Sequence, residues 1–425
     1  MSRLDLDAVR GFERGVYVVA LARMVNVFGS GLVYPFATIY FHLEVGVPLS
    51  VVGVGLLANN VGTAVATVAG GILADRRGRR PVMVASMAAS AVAFAAYAAV
   101  VPVAAATPLS PGLVFGVVAT AAGLAVGLYT PAGQAMTADL TTGPERDRAF
   151  SLLKLGSNLG FGAGLAVGGL LYGLLDVSVF LVDGLSSAVV AVLVWRLLPR
   201  VRDRAATGAA ETVADALRGW GGVVSRPRVA GLLALNVGFA VMYAQMRTTV
   251  PVVAERFLGF DPAAVGALYV LNPATIAVLQ LPLVSAVSPW RRTRGLVASA
   301  GCWATSMVAV WAVWAVPRVA GVALVAAHLV VRTVGEVLHQ PLVVSLGSDL
   351  GDEAERGTHL SVLELGKRLG FGLGSFVGGL FFDAGAHVAL WPTLAVGCLL
   401  LAVGLLALET RLTAAENGVA APAST

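Results

Sequence analysis

Long apolar segments recur along almost the whole sequence, and each is long enough to cross a lipid bilayer as a helix. A transmembrane α-helix needs about 20 apolar residues, because the hydrocarbon core contains no water to satisfy exposed backbone groups. Only 12% of the 425 residues are charged, about half the share that is usual in soluble domains. The sequence therefore predicts an all-α membrane protein with about twelve transmembrane helices. The apolar segments cover residues 16–42, 50–74, 82–101, 111–138, 150–172, 177–198, 229–254, 262–287, 295–316, 319–348, 358–382 and 387–409.

Basic residues mark one side of this predicted membrane protein. If the N-terminus is cytoplasmic, most of the 29 lysine and arginine residues fall in cytoplasmic loops. Such an excess in cytoplasmic loops is a general feature of membrane proteins. We therefore expect both termini to be cytoplasmic and the protein to lie in the plasma (inner) membrane. The same distribution accounts for the net charge of +5 without a nucleic-acid partner.

The rest of the composition argues against other kinds of site. Cys302 and Cys398 both lie in apolar segments, so we expect neither a disulfide framework nor a metal site, and no cofactor. The first 15 residues contain no apolar core, so we expect no cleavable signal peptide. Abundant Ala, Gly and Val with only two lysines is typical of a GC-rich bacterial genome.

One long hydrophilic segment divides the chain between six predicted helices and six more. Within it, Val213, Leu217 and Trp220 recur at helical spacing. Part of this segment is therefore either an interfacial helix or a flexible connection. We expect an N-terminal bundle over 1–198, a cytoplasmic linker over 199–228, a C-terminal bundle over 229–410 and a cytoplasmic tail over 411–425.

The two halves are related by an internal repeat. Residues 154–170 match residues 364–380 at an offset of 210, and the same offset pairs Asp139 with Asp349. The earlier helices of the two halves pair at an offset of 213. Polar residues paired in one register are difficult to attribute to composition alone. The repeat therefore predicts two pseudo-symmetric six-helix halves in parallel orientation.

The connection between the second and third helices carries a family signature. Residues 71–80 read Gly-Ile-Leu-Ala-Asp-Arg-Arg-Gly-Arg-Arg. This resembles, position by position, the G-x-L-a-D-r-x-G-r-r/k signature of the major facilitator superfamily. By this signature, the twelve helices and the duplication, the chain is identified as a member of that family. The resemblance implies a transporter with its substrate site between two six-helix bundles.

The resemblance also implies a gate on the cytoplasmic side. Asp75 would face the N-terminus of the eleventh helix, whose dipole favours a carboxylate, and Arg79 would reach Asp139. In the second half the signature is degenerate, and Asp349 with a nearby arginine would form a looser copy. The gating residues implied by the resemblance are Gly71, Asp75, Arg76, Gly78, Arg79, Arg80 and Asp139.

Within the superfamily, the chain most resembles the twelve-helix drug/proton antiporters. The fifth helix is similar to their glycine-rich motif, with Leu165 where that motif has proline. Close packing of small residues there would let the fifth and eighth helices slide. The fourth helix has Tyr129 and Gln134 instead of the membrane arginine that many of these antiporters carry. The motif glycines and their repeat-related counterparts are Gly160, Gly164, Gly168, Gly169, Gly370, Gly374, Gly378 and Gly379.

Four ionisable residues, His328, Arg332, Glu336 and His339, share one face of the tenth helix. Ionisable groups inside a membrane are costly and therefore indicate function. Burial favours the neutral carboxyl of Glu336 whereas Arg332 favours the carboxylate, so Glu336 is our candidate for proton coupling and His339 for proton relay. The alternative is that Arg332 and Glu336 form a structural ion pair that holds this helix to a neighbour.

Amide, hydroxyl and aromatic residues on other helices are candidates for the substrate cavity. A cavity with few charges suits hydrophobic or amphiphilic compounds. Arg247 together with Arg332 would instead suit an anionic substrate. The cavity candidates are Asn26, Tyr34, Asn59, Thr63, Tyr243, Arg247 and Asn272.

Together these features predict a secondary active transporter that works by alternating access and exports drugs or metabolites against protons. The expected partners are a small-molecule substrate, protons and the lipid bilayer, and we expect a functional monomer. The alternative is a nutrient or metabolite importer of the same fold, by symport or facilitation. An enzyme or a membrane sensor is the least favoured function, because no nucleotide-binding loop, metal cluster or catalytic triad spacing is present.

Overall fold

Helices account for almost all of the residues that the structure, a computed structural model, describes. These residues are 11–33, 35–199, 213–350 and 355–419. Twelve long helices follow one another along them, as the apolar segments predict. The helices are α1 (Arg14–Val33, followed by a π-helical turn at Ile39–Glu44), α2 (Leu49–Arg77), α3 (Arg79–Ala98), α4 (Pro111–Asp139), α5 (Pro144–Leu175), α6 (Val179–Leu197), α7 (Pro227–Val252), α8 (Pro262–Val287), α9 (Arg292–Trp311), α10 (Arg318–Asp349), α11 (Arg356–Asp383) and α12 (His387–Glu409).

The membrane-spanning character of these helices follows from their length and hydropathy. Ten helical stretches of the described residues are long and apolar enough to cross a membrane. One of them, Glu145–Leu197, contains both α5 and α6, and α11 completes the twelve. The all-α membrane architecture expected from the sequence is therefore confirmed.

Helix α5 begins at Pro144, well before the predicted start at residue 150. Proline is favoured at the first helical position, and Glu145 and Asp147 in the first turn complement the helix dipole. The prediction followed hydropathy and therefore missed this polar first turn. As a consequence, Lys154 lies inside the helix rather than at its end.

Prolines explain where two of the helices are interrupted. In α4 the regular helix breaks at Leu128, and in α8 it breaks at Val270. Pro131 and Pro273 each follow the break by three residues. A proline ring clashes with the carbonyl group four residues before it and removes one backbone hydrogen bond, which locally unwinds a helix.

The hydrophilic segment between the two sets of six helices is helical where it is described. A linker helix spans Val213–Val224. Residues 200–212, which belong to the predicted linker over 199–228, lie outside the described residues.

Contacts divide the chain into two compact units. Unit 1 consists of Met1–Val47, Ala58–Val213 and Asp261–Ala267, and unit 2 of Pro48–Leu57, Ala214–Phe260 and Leu268–Thr425. In unit 1, α1 packs against α5, and α3 packs against α6. In unit 2 the repeat-related helices make the same pairs, α7 with α11 and α9 with α12. The two units therefore share one internal arrangement.

Glycines set the close approach in the first of these pairs. A Cβ atom at Gly168 of α5 would lie 2.7 Å from the Leu32 carbonyl oxygen of α1. The repeat-related Gly378 would overlap Gln245 of α7 in the same way. Gly160 and Gly164 also face α1, and Gly370 and Gly374 face α7.

The last glycine of each set faces a different neighbour. A Cβ atom at Gly169 would meet Pro262 and Gly266 of α8, whereas one at Gly379 would meet Leu49 and Ser50 of α2. Of the four motif glycines in α5, only Gly169 faces α8, and the other three face α1.

Candidate functional site

In unit 2, α8 and α10 bring an acid, an arginine and an amide together. Arg332 Nη1 lies 3.1 Å from Glu336 Oε2. Asn272 of α8 donates through Nδ2 to the same carboxylate oxygen (3.0 Å) and to Thr333 Oγ1 (2.8 Å). The Arg332 side chain is 3% exposed and that of Glu336 is 20% exposed. The carboxylate is therefore held by two partners and remains partly exposed.

Aromatic rings surround Arg332 in addition to its acidic neighbour. The Nη1–Oε2 distance is that of an ion pair, but Nη1 and Nε make no hydrogen bond among the described residues. The guanidinium carbon lies 5.0 Å from the centroid of the Tyr243 ring and 5.7 Å from that of Trp303. Cation–π attraction of this kind stabilises a desolvated arginine. Tyr243 and Asn272, two of the predicted cavity residues, thus lie with Arg332 and Glu336.

The two histidines of α10 lie in different surroundings. His339 is 2% exposed, and its ring centroid lies 4.3 Å from that of Phe239, with the two ring planes tilted by 43°. Neither ring nitrogen has a hydrogen-bond partner among the described residues. The described residues therefore provide no hydrogen-bonded path from Glu336 to His339. Nδ1 of His328 lies 2.9 Å from the Ser306 carbonyl oxygen of α9, which is the contact of a packing residue.

Two other predicted cavity residues lie on α2 in unit 1, and of these only Asn59 bonds to another helix within the described part of the chain. Asn59 of α2 donates to the Ala119 carbonyl oxygen of α4 (2.8 Å), and Thr63 donates to the Asn59 carbonyl oxygen (2.8 Å). Asn26 of α1 is 3% exposed and donates to Met87 Sδ of α3 at 3.5 Å. Asn26 therefore joins α1 to α3.

Two predicted cavity residues, Arg247 and Tyr34, remain. Arg247 is half-buried on α7. Tyr34 lies outside the described residues.

The signature between α2 and α3 forms a compact charged turn. Gly78 adopts a positive φ of 89°, which an L side chain rarely adopts, and this permits the reversal between the two helices. Arg79 Nη1 lies 2.6 Å from Asp75 Oδ1, and Arg79 Nε lies 3.3 Å from Asp139 Oδ2 of α4. Arg80 contacts the Trp195 carbonyl oxygen of α6. Arg79 thus joins the ends of α2 and α4, as the resemblance implies.

The remaining members of the signature are less constrained. Arg76 is exposed, and a Cβ atom at Gly71 would meet nothing within 4 Å. The Asp75 side chain is 53% exposed.

In unit 2 a related ion pair joins α9 and α10. Arg292 Nη1 lies 2.6 Å from Asp349 Oδ2, at the repeat-related positions of Arg79 and Asp139. Residues 413–417, which the sequence assigns to a tail, pack on this site. The Thr293 amide donates to Asn417 Oδ1 (3.0 Å), and Asn417 is 2% exposed. This docked segment was not apparent from the sequence.

A cavity of about 290 Å³ lies within unit 1 among α1, α4 and α5. Arg23, Tyr129 and Lys154 line it, and none of them was among the predicted cavity residues. Its other lining residues include Gln134, Phe150, Leu153 and Ser157. The sequence signal that was missed is the polar first turn of α5, which places Lys154 ten residues into a helix.

A sequence model of the family described as Major Facilitator Superfamily matches residues 19–358. Among curated relatives, the multidrug resistance protein MdtH of Cronobacter sakazakii is 27% identical over 376 residues, which is 87% of each chain. The uncharacterized MFS-type transporter YttB of Bacillus subtilis is 23% identical over 418 residues, 95% of this chain and 97% of that protein.

Solved structures share the same fold. The nucleoside transporter NupG superposes with a TM-score of 0.74 at 12% identity, over 93% of this chain and 99% of that one. A peptide transporter POT in complex with sulfate gives a TM-score of 0.74 at 16% identity, over 95% and 96% of the two chains. At such low identity these likenesses concern the fold alone.

Proposed function

Because the chain belongs to the major facilitator superfamily of transporters, we propose that it exports hydrophobic or amphiphilic compounds in exchange for protons, by alternating access. The observation that carries this proposal is the cluster of Glu336, Arg332 and Asn272 in unit 2. A carboxyl group inside a membrane is costly unless it is paired or neutral, so such groups mark proton and substrate pathways. The MdtH name of the curated relatives supports an efflux direction.

Glu336 has two states that differ in their partners. As a carboxylate it accepts the Asn272 Nδ2–H and attracts Arg332. As a neutral carboxyl it no longer balances the Arg332 charge, and the arginine then relies on the rings of Tyr243 and Trp303. Protonation therefore changes the charge of the α8–α10 contact. A proton couples to transport only if its affinity differs between the inward-open and outward-open states.

The proposal is tested in inside-out membrane vesicles that contain the protein and are energised by a proton gradient. Uptake of a fluorescent amphiphilic dye is followed before and after the gradient is collapsed, for the wild-type protein and for Glu336→Gln. We expect gradient-dependent uptake in the wild type and its loss in the variant. Glu355→Gln, which removes an exposed carboxylate outside the membrane helices, is the matched control and keeps the uptake.

A second measurement separates coupling from a structural role. Exchange of labelled dye for unlabelled dye across the membrane needs no gradient. If Glu336 couples protons, Glu336→Gln retains this exchange and its melting temperature. If Arg332 and Glu336 are only a structural pair, the variant loses exchange and thermal stability together, and the coupling role is rejected. Gradient-driven uptake in right-side-out vesicles instead would identify an importer.

A further inference from the structure

We propose that the cavity among α1, α4 and α5 binds the carboxylate group of an amphiphilic solute. This inference rests on the proposed function and narrows its substrates to compounds that carry an anionic group. Two cationic side chains, Arg23 and Lys154, line the cavity, and none of the described residues that line it is Asp or Glu. A volume of about 290 Å³ is near the lower end of the range for small-molecule sites.

The two cations lie far from the ends of their helices. Arg23 is nine residues from the start of α1, and Lys154 is ten residues from the start of α5. At 1.5 Å per residue these positions are about 14–15 Å along each helix. Both residues lie within the apolar segments 16–42 and 150–172. Cationic groups inside a membrane protein are costly and typically mark a substrate or ion pathway. An anionic ligand in the cavity would lower this cost.

The cavity also presents polar groups suited to a carboxylate. Arg23 Nε donates to Ser157 Oγ at 3.1 Å, which fixes the guanidinium group at the cavity wall. The Tyr129 hydroxyl is buried, and it has no hydrogen-bond partner among the described residues. Buried polar groups are normally hydrogen-bonded, so this hydroxyl is suited to donate a hydrogen bond to a bound carboxylate. Phe150 and Leu153 supply an apolar wall for the rest of the solute.

This charge pattern is particular to unit 1. At the repeat-related positions of unit 2, Asn236 stands in place of Arg23 and Glu364 in place of Lys154. His339 stands in place of Tyr129. The cationic lining is therefore not a feature of the duplicated helix framework. The cationic lining distinguishes one half from the other, as expected of residues that determine ligand specificity.

The test measures binding at equilibrium, without a gradient, to the full-length protein in nanodiscs of phosphatidylcholine. Isothermal titration calorimetry compares naphthoate with the uncharged naphthamide of the same shape. We expect naphthoate to bind more tightly. Arg23→Gln should raise its Kd by about tenfold or more, because hydrogen bonds to charged groups are the stronger ones. Tyr129→Phe keeps the packing and should raise the Kd by a smaller factor.

Controls make each outcome decisive. Lys154→Gln should weaken naphthoate binding, whereas Lys367→Gln, which removes the only other lysine, should leave it unchanged. Equal affinity for naphthoate and naphthamide, or an Arg23→Gln variant that binds as the wild type does, overturns the proposal. Affinity that disappears when phosphatidylglycerol is added identifies a lipid headgroup as the occupant and also overturns it. Binding that depends on charge, in a protein without gradient-driven export, contradicts only the proposed function.

Discussion

Gly164 is a residue at which the backbone of a neighbouring helix leaves no room for a side chain. A Cβ atom there would overlap the Phe28 carbonyl oxygen and lie 3.0 Å from Gly31 Cα, and backbone atoms cannot rotate away. Gly164→Ala should therefore force α1 and α5 apart. Overpacking of this kind costs about 1–3 kcal/mol. We expect a lower melting temperature, measured by the fraction of monodisperse protein that survives heating in detergent.

Gly173 of the same helix provides the matched control. A Cβ atom at this position would meet nothing within 4 Å. Alanine is favoured over glycine inside a helix by about 0.5–1 kcal/mol, so Gly173→Ala should keep or slightly raise the melting temperature. Equal melting temperatures for the two alanine variants would contradict the close packing of α1 and α5.

At the residue scale, the sequence predicts which residues share a helix face better than it predicts their contacts with other helices. Helical periodicity places Arg332 and Glu336 on one face, and the structure gives them a 3.1 Å contact. The periodicity does not reveal that Asn272 completes this cluster, because Asn272 lies on another helix. Asn26, which is predicted to line the cavity, also contacts another helix, since its amide donates to Met87 Sδ. A polar residue on an inner helix face serves either purpose, and only the packing decides between them.

At the scale of elements, the start of α2 depends on a residue from α11. Pro48 precedes this helix and has no side-chain acceptor. Asp383 accepts instead from the Leu49 and Ser50 amides at 2.8 and 2.9 Å. Asp383→Ala should release both amides, at a cost of about 0.5–2 kcal/mol. We expect about two- to thirtyfold faster hydrogen exchange at these two amides, measured by mass spectrometry.

The start of α8 serves as an internal reference for this measurement. There the Ala264 amide donates to Asp261 of the same turn at 2.7 Å, so its cap is local. Exchange at this site should not respond to Asp383→Ala, and Asp383→Asn should retain most of the protection of α2. Unchanged exchange at Leu49 and Ser50 in the alanine variant would show that Asp383 does not cap α2.

The segment after α12 is held to unit 2 by a glutamate whose charge depends on pH. Partial burial raises the pKa of Glu416, but hydrogen bonds from Thr413 and the nearby Arg228 outweigh burial, and the pKa is lowered below its usual value. A lowered pKa means that the stabilising contribution is present above the unfolded-state value, about 4.3, and is lost as pH falls through the folded-state value. The segment should therefore detach in acid.

A nitroxide label at Val419→Cys measures this detachment. Its mobility should be low near neutral pH and should rise as the pH falls below the unfolded-state pKa of glutamate, about 4.3. In a Glu416→Gln background, the mobility should no longer change across this range, because the titrating group is absent. An identical pH response in both backgrounds would assign the change to another group.

Helix number and helix ends differ in how well the sequence predicts them. Hydropathy locates α8 and α12 at their observed bounds, because both begin and end near the limits of an apolar run. Hydropathy misplaces the start of α5, because the first turn of this helix is polar. It therefore also misplaces Lys154 relative to the start of the helix. The cationic cavity was missed because Arg23, Tyr129 and Lys154 come from three different helices.

At the scale of the whole molecule, duplication and charge distribution make one joint prediction about topology. Six helices in each half return the chain to its starting side, so corresponding connections of the two halves must face the same side. Basic residues predict that the α2–α3 and α8–α9 connections lie in the cytoplasm. The α3–α4 and α11–α12 connections are then expected to face outward, and each contains an exposed residue, Leu109 and Ala384.

Single cysteines test this arrangement in a variant whose two native cysteines are replaced by serine. Leu109→Cys and Ala384→Cys should react with a membrane-impermeant maleimide on intact cells. Arg77→Cys and Trp290→Cys should react only after permeabilisation. The reverse pattern at all four positions would mean that both termini face outward and that the basic residues do not set the orientation. Disagreement between the halves would mean that they are inverted, and the parallel duplication would then be wrong.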